Sequence, residues 1–503
     1  MIFKKEKNML VITLNKTIYE YDIHSIVKAF YGDKTIKVIT PDTDPVKAAE
    51  LRSGELALQG SIAFLEESLL LRLGDKEYIW NWSLEFAPEE AYSHAFKDGF
   101  KGFLYRSLCS YTGKSLPWGN MTGIRPTKIA MSMLSEGKSQ EEIMAYYKDK
   151  HYVSEQKAAL SIDIAKREKN LLSTLHYEDG YSLYVGIPFC PTTCLYCSFT
   201  SYPIAAHRQR VDRYIDCLIQ EMDYVSRVYK DKILDTVYIG GGTPTTLEAE
   251  QLDRLIGALK ERFDFGTVQE FTVEAGRADS ITREKLAVLY KHGVDRISVN
   301  PQTMNQCTLD TIGRRHTVEQ VKDAYRLARE IGFDNINMDL ILGLPGEDVP
   351  EVTYTIEEVK KLNPDSLTVH SLAIKRASKL AQWVQTHDIS CINNTDETMS
   401  IAVSGALDME MKPYYLYRQK NMSGNFENVG YAREGKFGIY NILIMEELQT
   451  IVALGAGSIT KRVCRDGRIE RCDNVKDVEL YINQIDEMIA RKRHLLEAQM
   501  PEA

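Results

Sequence analysis

Residues Tyr184–Phe199 read YVGIPFCPTTCLYCSF, a short apolar run followed directly by three cysteines. The apolar run has the length and composition of a buried strand, and the prolines after it are typical of a loop. The cysteines are Cys190, Cys194 and Cys197, in the spacing C-x-x-x-C-x-x-C. With nine cysteines in 503 residues, this spacing is expected by chance about 0.003 times per chain. The stretch therefore predicts a strand that leads into a thiol-bearing loop with a chemical purpose.

Three thiols in one loop suit an iron-sulfur cluster, because thiolates are the ligands that such clusters take. A [4Fe-4S] cubane normally has four cysteine ligands, so three leave one iron open to chelate the amino and carboxylate groups of S-adenosylmethionine (SAM). An electron from the cluster then cleaves the sulfonium and gives a 5'-deoxyadenosyl radical, which abstracts hydrogen from an unactivated carbon. The alternatives are core cysteines, a disulfide, or a zinc site that recruits Cys464 and Cys472.

Apolar runs alternate with helical segments from Leu183 to His370. The apolar runs are LYVGI, TVYIG, FTVEA, RISVN, INMDLIL and SLTVH. Helical segments are expected near residues 208–228, 248–262, 281–292, 317–331 and 350–361. This order predicts an α/β fold with a parallel sheet and right-handed crossovers, which we interpret as a partial (β/α)6 barrel over residues 176–384. Ligands of such sheets bind at the carboxyl ends of the strands, so the residues after each run are the candidates.

The flanking regions are expected to be an α+β N-terminal domain over residues 1–175 and a mixed C-terminal region over 385–503. In the N-terminal domain, strands are predicted at Met9–Thr13, Ile36–Ile39 and Ile62–Phe64, and a helix is predicted near Ile23–Phe30. Residues 88–173 are predicted to be helical, with Ser139 and Glu142 as a capping box. The segment Pro117–Ile129 is rich in turn residues, and a functional loop, an interdomain contact and a plain connector are all open for it.

The composition is that of an ordinary globular protein, with 44% hydrophobic and 26% charged residues. The formal charge of -9 gives no general attraction to nucleic acid. No window approaches a transmembrane span, and the N-terminal apolar stretch is too short for a signal peptide. We therefore expect a cytoplasmic protein with no membrane insertion. The odd number of cysteines argues against a disulfide framework and favours reduced thiols.

Glycines and charged residues follow the other predicted strands. Gly240–Pro244 reads GGGTP, and its glycines allow backbone amides to approach a ligand, although a tight turn is the ordinary alternative. Glu274 can accept hydrogen bonds from an ammonium or from ribose hydroxyls, and Arg314 offers a planar fork for carboxylates. Asp339 lies inside an apolar run, where an unpaired carboxylate is costly, so we expect a ligand hydroxyl or a basic partner beside it. His370 is either a proton donor or a satisfied core histidine.

Together these motifs resemble those of the oxygen-independent coproporphyrinogen III dehydrogenase family of radical SAM proteins. The resemblance covers about Tyr184 to Ala373, with weaker similarity at Asn425–Arg433 and Leu454–Ile459. It is carried by Y-x-x-I-P-F-C-x-x-x-C-x-Y-C, G-G-G-T-P-T, R-I-S-x-x-x-Q, I-G-R-x-H-T and D-L-I-x-G-L-P-G in this order. The long N-terminal domain and the form of the cysteine motif are similar to the HemZ branch of the family.

The resemblance implies a ligand set, a reaction and two partners. The [4Fe-4S] cluster would be held by Cys190, Cys194 and Cys197. A first SAM would contact Tyr184, Gly241 and Glu274, and a second SAM would contact Tyr196, Gly242, Thr243, Gln302, Arg314, Asp339, Ala373 and Ile459. The implied reaction removes hydrogen from the β-carbon of a propionate and releases carbon dioxide and an electron, twice, to convert coproporphyrinogen III to protoporphyrinogen IX. The partners are this tetrapyrrole and an electron donor such as flavodoxin or ferredoxin.

The sequence departs from the family's pattern at three places. Gly186 stands where the established dehydrogenase has a histidine. Phe199 stands where the dehydrogenase has a further cysteine. The related heme chaperones have phenylalanine at this position too. Tyr440–Met445 stands where those chaperones have H-N-x-x-Y-W. Three functions therefore stay open: decarboxylation of porphyrinogen propionates, heme binding or trafficking, and radical SAM chemistry on heme itself, such as a ring-opening methyl transfer.

Overall fold

The structure, a computed structural model, describes residues 9–32, 34–53, 56–123, 125–176, 179–375, 377–384, 386–387, 391–418 and 426–497. Contacts between Cα atoms divide the chain into two units. Unit 1 consists of Met1–Ala165 and Arg418–Glu427, and unit 2 of Lys166–Tyr417 and Asn428–Ala503. The domain boundaries expected near residues 175 and 385 stay predictions. Ile124 of the turn-rich segment and Asn425 of the weaker family motif lie outside the described residues.

Unit 1 is built on a five-stranded sheet. Its elements in chain order are β1 (Met9–Leu14), α1 (Glu20–Phe30), β2 (Thr35–Ile39), α2 (Pro45–Ser53), β3 (Leu56–Phe64), β4 (Leu69–Leu73), β5 (Lys76–Trp80), α3 (His94–Thr112), α4 (Thr127–Ser135), α5 (Gln140–His151) and the first part of α6 (Glu155–Leu172). The strand order is β2-β1-β3-β4-β5, with β1 parallel to both neighbours and β3, β4 and β5 antiparallel.

Several elements of unit 1 lie where the sequence predicts them. The three expected strands fall within β1, β2 and β3, and the expected helix falls within α1. The capping box is present at α5, where Ser139 Oγ accepts from the Glu142 amide and the Glu142 carboxylate accepts from the Ser139 amide. The turn-rich segment surrounds the buried Trp118, whose Nε1 donates to Glu427 Oε2 at 2.7 Å. That segment therefore has at least a structural role inside unit 1.

Unit 2 is built on an eleven-stranded sheet. Its elements are β6 (Gly180–Ile187), β7 (Phe189–Cys190), β8 (Tyr202–Pro203), α7 (Val211–Val228), β9 (Ile233–Gly241), α8 (Ala249–Arg262), β10 (Glu270–Gly276), α9 (Arg283–Lys291), β11 (Arg296–Val299), α10 (Gln306–Thr311), α11 (Val318–Ile331), β12 (Ile336–Leu342), α12 (Val349–Leu362), β13 (Ser366–Ser371), α13 (Leu380–Trp383), α14 (Asp396–Asp408), β14 (Lys412–Tyr417), β15 (Asn428–Ala432), α15 (Ile439–Glu446), β16 (Thr450–Leu454), β17 (Ile459–Val463), β18 (Ile469–Asp473), α16 (Val478–Asn483) and α17 (Ile485–Leu496). The strand order is β14-β15-β13-β12-β11-β10-β9-β6-β16-β17-β18.

The six predicted strands are β6 and β9 to β13, and each pairs in parallel with the next one along the chain. Helices α7, α8, α9, α11 and α12 connect them at the expected places. The predicted α/β fold with a parallel sheet is confirmed. A seventh parallel strand, β16, lies beside β6 and was not predicted, because no following helix continues the strand-helix alternation there. Among the described helices we find none whose length and hydropathy suit a bilayer span.

Glu168 of α6 is a buried carboxyl group in unit 2, and neither of its oxygens has a hydrogen-bond partner among the described residues. Burial raises its pKa well above the ordinary 4.5, and Glu446 adds to the rise. The folded chain therefore holds Glu168 as a neutral acid. The unfolded chain releases the same proton above about pH 4.5, so the unfolding free energy falls as the pH rises from there toward the folded-state pKa.

We expect Glu168→Gln to stabilise the protein at neutral pH, because the amide keeps the shape of the acid and has no charge to lose. The gain should vanish near pH 4.5 and should grow as the pH rises above it. Urea unfolding between pH 4.5 and 8 measures it. Glu250→Gln, at an exposed position of α8, is the matched control and should show no such slope. A Glu168→Gln protein less stable than wild type at pH 8 contradicts this account.

Candidate functional site

A cavity of about 310 Å³ opens at the carboxyl ends of the parallel strands of unit 2 and continues along the sheet interior. Parallel strands end at the same edge of a sheet, so the loops after them come together there. Eleven of the fourteen candidate residues line this cavity: Cys190, Cys194, Tyr196, Cys197, Gly241, Gly242, Thr243, Glu274, Gln302, Arg314 and Asp339.

The other three candidates, Tyr184, Ala373 and Ile459, do not line this cavity. Tyr184 lines a smaller pocket of about 60 Å³, which shares Phe199 and Gly241 with the larger cavity. Ala373 lies two residues beyond β13 and is half-buried, and Ile459 begins β17 with 45% of its surface exposed. Their expected ligand contacts stay predictions, and for Ala373 and Ile459 the cavity offers no support.

The cysteine loop follows β6 and places its thiols at the cavity. Cys190 and Cys194 are buried and Cys197 is half-buried. The Thr243 hydroxyl donates to Cys190 Sγ at 3.5 Å. Burial raises the pKa of the Cys190 thiol to about 11 and also raises that of Cys197. A bound metal lowers the pKa of such thiols, because its positive charge stabilises the thiolates and the protons are released to solvent.

The alternatives for the cysteines can be compared with the structure. Cys190, Cys194 and Cys197 are free thiols, so no disulfide joins them. Over the described residues, no three His, Cys, Asp or Glu side chains converge as the ligands of a single ion. Cys464 and Cys472, the pair that a zinc site would recruit, are buried near β17 and β18 and do not line the cavity.

Gly241 and Gly242 bring the loop after β9 against the cysteine loop. Gly241 has a φ of 113°, in the left-handed region that favours glycine. A Cβ on Gly242 would lie 2.5 Å from the Phe189 carbonyl oxygen and 3.0 Å from Cys190 Sγ. The two loops are joined by backbone hydrogen bonds of 2.7 Å, from Gly242 to Ile187 and from Thr243 to Phe189. The absence of a side chain at Gly242 is therefore a requirement of this arrangement.

Several buried polar atoms of the cavity wall have no hydrogen-bond partner among the described residues: Ser298 Oγ, Asn300 Oδ1, Gln302 Oε1 and Arg314 Nε. Arg314 is 5% exposed, and its Nη1 donates to the Asn300 carbonyl at 2.5 Å. Gln302 has a φ of 68°, which is strained for a residue with a side chain. Unsatisfied buried atoms together with backbone strain are typical of a ligand site.

Glu274 projects from β10 into the cavity. Burial raises the pKa of Glu274 to about 7, while the Tyr238 hydroxyl, which donates to its Oε1 at 2.5 Å, opposes the rise. The rings of Tyr184, Tyr238 and Tyr440 all pack against one another. The centroid of Tyr184 lies 6.2 Å from each of the other two, which are 4.4 Å apart. A carboxyl with a strongly shifted pKa in a cavity is a candidate ligand-binding group.

Asp339 of β12 has the basic partner that its place in an apolar run requires. Asn337 Nδ2 donates to Asp339 Oδ1 at 2.7 Å, and His370 Nε2 lies 3.9 Å from Oδ2. Burial raises the pKa of Asp339, but hydrogen bonding to His370 and Asn337 outweighs burial and leaves that pKa below its ordinary value. Asp339 is therefore ionised at neutral pH.

Sequence reasoning missed Arg277 and a whole wall of the cavity. Arg277 directly follows β10, so the rule of inspecting strand ends would have found it. Its Nη1 donates to Thr192 and lies 3.9 Å from Cys194 Sγ. The missed wall contains Arg296, Tyr415, Tyr417, Asn441, Ile444 and Met445. Except for Arg296, these residues come from β14 and α15, outside the predicted strand-helix series.

These residues fit an iron-sulfur cluster with SAM beside it. The thiols suit the cluster, the glycine loop leaves space that a Cβ would fill, and the unpartnered polar atoms can bind SAM. The model of the radical SAM superfamily matches residues 184–359. The coproporphyrinogen III oxidase HemN from Escherichia coli, a radical SAM enzyme of known structure, has the same fold, with a TM-score of 0.51 and 24% identity over 64% of this chain and 73% of that chain.

Three similar proteins bear on the family. Over 420 residues the chain is 42% identical to the oxygen-independent coproporphyrinogen-III oxidase-like protein HemZ of Bacillus subtilis, covering 82% of this chain and 84% of the relative. It is 39% identical over 198 residues to the heme chaperone HemW of Bacillus subtilis, covering 39% and 51%. It is 33% identical over 196 residues to the oxygen-independent coproporphyrinogen III oxidase of Escherichia coli, covering 39% and 42%. The chain therefore belongs to the radical SAM superfamily and, within it, to the family of the coproporphyrinogen-III oxidase-like protein HemZ.

Proposed function

We propose that the protein is a radical SAM oxidoreductase that converts propionate side chains of coproporphyrinogen III to vinyl groups. The observation that carries this proposal is one cavity in which three cysteine thiols share the lining with the buried guanidinium groups of Arg296 and Arg314. Guanidinium groups are suited to carboxylates, and the proposed substrate carries its reacting carbons on carboxylate side chains. The names of the HemZ and oxidase relatives support the same substrate class.

Membership of the radical SAM superfamily implies a [4Fe-4S] cluster and SAM, and the residues for them are part of the proposal. Cys190, Cys194 and Cys197 would hold the cluster. When bound, the reduced cluster and SAM supply the radical that abstracts a hydrogen atom. Tyr184, Gly241 and Glu274 would bind this first SAM, with the carboxylate of Glu274 accepting from an ammonium or hydroxyl group.

Arg277 would keep the cysteine loop in place while the ligands exchange. Its guanidinium donates to Thr192 O at 2.9 Å and to Thr192 Oγ1 at 2.7 Å, and it pairs with Asp279 at 2.6 Å. Arg277 is 3% exposed, so these contacts are sheltered from water. These contacts tie the cysteine loop to the residues that follow β10 and would keep its thiols in one arrangement.

A second SAM in the same cavity is part of the proposal. Arg314 and Gln302 would bind it through their unpartnered atoms, Arg314 as donor to a carboxylate and Gln302 as acceptor from an ammonium. The remaining contacts would come from Tyr196, Gly242, Thr243, Asp339, Ala373 and Ile459. A small electron-transfer protein such as flavodoxin or ferredoxin would supply the electron for each turnover.

An anaerobic assay tests the proposed function. Reconstituted protein, a reductant, SAM and coproporphyrinogen III are expected to give 5'-deoxyadenosine together with a product that has gained vinyl groups and lost carbon dioxide. Chromatography with mass spectrometry measures both, and reactions without SAM are the control. If an intact cluster yields neither 5'-deoxyadenosine nor vinyl product, the proposal fails.

Heme binding is the second candidate function, because Phe199 is 71% exposed at both pockets and the chain is similar to a heme chaperone. An exposed aromatic ring beside a cavity can pack on a flat macrocycle. The counterpart of the chaperone stretch lies in α15, where Tyr440 is buried in the tyrosine stack. Heme titration decides between the candidates: the lack of a stable complex at micromolar heme counts against heme binding.

A further inference from the structure

We propose that His370 and Tyr417 form a subsite that binds a carboxylate of the tetrapyrrole substrate. This inference rests on the proposed function and adds specificity-determining residues to it. Both side chains line the cavity, and neither belongs to the motifs through which cluster and SAM contacts were predicted. They will be called the His370–Tyr417 pair.

The pair is fixed by the strands that carry it. Tyr417 OH lies 3.3 Å from His370 Nδ1, and the two rings meet at an angle of 67°. Asn428 of β15 holds the neighbouring backbone, because its Oδ1 accepts from the Ser371 amide at 2.9 Å and its Nδ2 donates to the Tyr417 carbonyl at 3.3 Å. The separation of the two rings is therefore set by the sheet and not by loop conformation.

Hydrogen-bond roles make the pair a donor site. His370 Nε2 lies 3.9 Å from the ionised Asp339, so the tautomer with hydrogen on Nε2 directs its donor toward that carboxylate. When Nδ1 also carries a proton, it donates to the Tyr417 oxygen, and the Tyr417 hydroxyl can then donate to an acceptor in the cavity. A carboxylate ligand provides that acceptor and balances the added positive charge on His370.

Arg296 is a further positively charged residue in the lining of the same cavity. It is 3% exposed, and its Nη1 donates to the Lys436 carbonyl at 2.9 Å. Glu270 is the nearby acid, yet its oxygens accept from Thr272 Oγ1 at 2.8 Å and from the Ile439 amide. Among the described residues no ion pair joins Glu270 to Arg296. A guanidinium in the wall of a cavity can attract an anion there.

Two carboxylates can compete for the pair, that of the tetrapyrrole and that of a SAM methionine group. Arg314 lies on another loop and has an unpartnered Nε, so a SAM carboxylate already has a partner within the predicted SAM contacts. The pair is therefore assigned to the substrate. Separate binding measurements with each ligand distinguish the two sources.

Binding of coproporphyrin III and of its tetramethyl ester to the reconstituted protein tests this assignment without any turnover. Fluorescence quenching under anaerobic conditions gives both dissociation constants. We expect His370→Gln to weaken binding of the acid about tenfold and Tyr417→Phe about threefold to fivefold, with ester binding unchanged within about twofold. The matched control is His292→Gln, which removes a histidine that pairs with Asp253 at 2.7 Å outside the cavity and should change nothing.

S-adenosylhomocysteine is the probe that tests whether the pair binds the carboxylate of SAM instead. Its affinity should be the same in wild type and in Tyr417→Phe, which leaves the His370–Asp339 contact in place. Weaker S-adenosylhomocysteine binding with unchanged coproporphyrin binding overturns the assignment, and so does a wild type that binds acid and ester equally or binds neither. Failure of the proposed function looks different, because the acid is then bound through the pair while no vinyl product forms. Tyr417→Phe keeps the ring, so the test stands even if His370→Gln folds poorly.

Discussion

Cys194→Ala is expected to lose the iron-sulfur cluster and to form 5'-deoxyadenosine at least about a thousandfold more slowly than wild type. Two thiols remain in the loop after this change, and the other six cysteines of the chain do not line the cavity. Arg277 Nη1 lies 3.9 Å from Cys194 Sγ, so its positive charge would stand beside the vacated position and disfavour an iron there. Alanine brings no ligand in return.

Iron and acid-labile sulfide per chain, measured after anaerobic reconstitution, report the cluster, and chromatography reports 5'-deoxyadenosine. Cys307→Ala is the matched control, because Cys307 is exposed on α10 and does not line the cavity. Cys464→Ala and Cys472→Ala should also keep full iron content. Wild-type iron content in Cys194→Ala contradicts the assignment, and loss of metal from the Cys464 or Cys472 variants revives the zinc alternative.

Gly242→Ala is expected to lower the rate of 5'-deoxyadenosine formation by about a hundredfold, even though it adds only one methyl group. The new Cβ would lie 2.5 Å from the Phe189 carbonyl oxygen, so the cysteine loop or the loop after β9 must move. Neither can move alone, because the Thr243 amide donates to that same carbonyl at 2.7 Å. The displacement reaches Cys190 Sγ, which would be 3.0 Å from the methyl carbon. A thiol shifted by a fraction of an ångström changes the fit of cluster and SAM together.

Gly257→Ala is the control for this substitution. Gly257 lies in α8, and a Cβ there would meet no other atom within 4 Å. Alanine should stabilise the helix by about 0.5 to 1 kcal/mol and leave the rate unchanged. Iron content, SAM affinity and 5'-deoxyadenosine rate are compared across the three proteins. A Gly242→Ala protein with the wild-type values would show that the close approach of the two loops is dispensable.

Much of the fold could be predicted from the sequence, because the patterns that indicate its strands and helices lie within short stretches of the chain. Six apolar runs separated by helical segments identified β6 and β9 to β13 in order, and parallel pairing followed from the right-handed crossover rule. The spacing of three cysteines and the glycines after β9 marked two loops at one edge of that sheet. Since strand ends of a parallel sheet meet at that edge, most candidate residues fall around one cavity.

The sequence by itself therefore determined the parallel sheet, the thiol loop and the edge where ligands bind. Only the tertiary structure decided that β16 joins beside β6, that Tyr184 lies in a separate small pocket, and that the His370–Tyr417 pair forms across β13 and β14. The physical reason is that periodicity and turn chemistry act over a few residues. The pairing of distant strands depends instead on the register of the whole sheet, which no short stretch of the chain encodes.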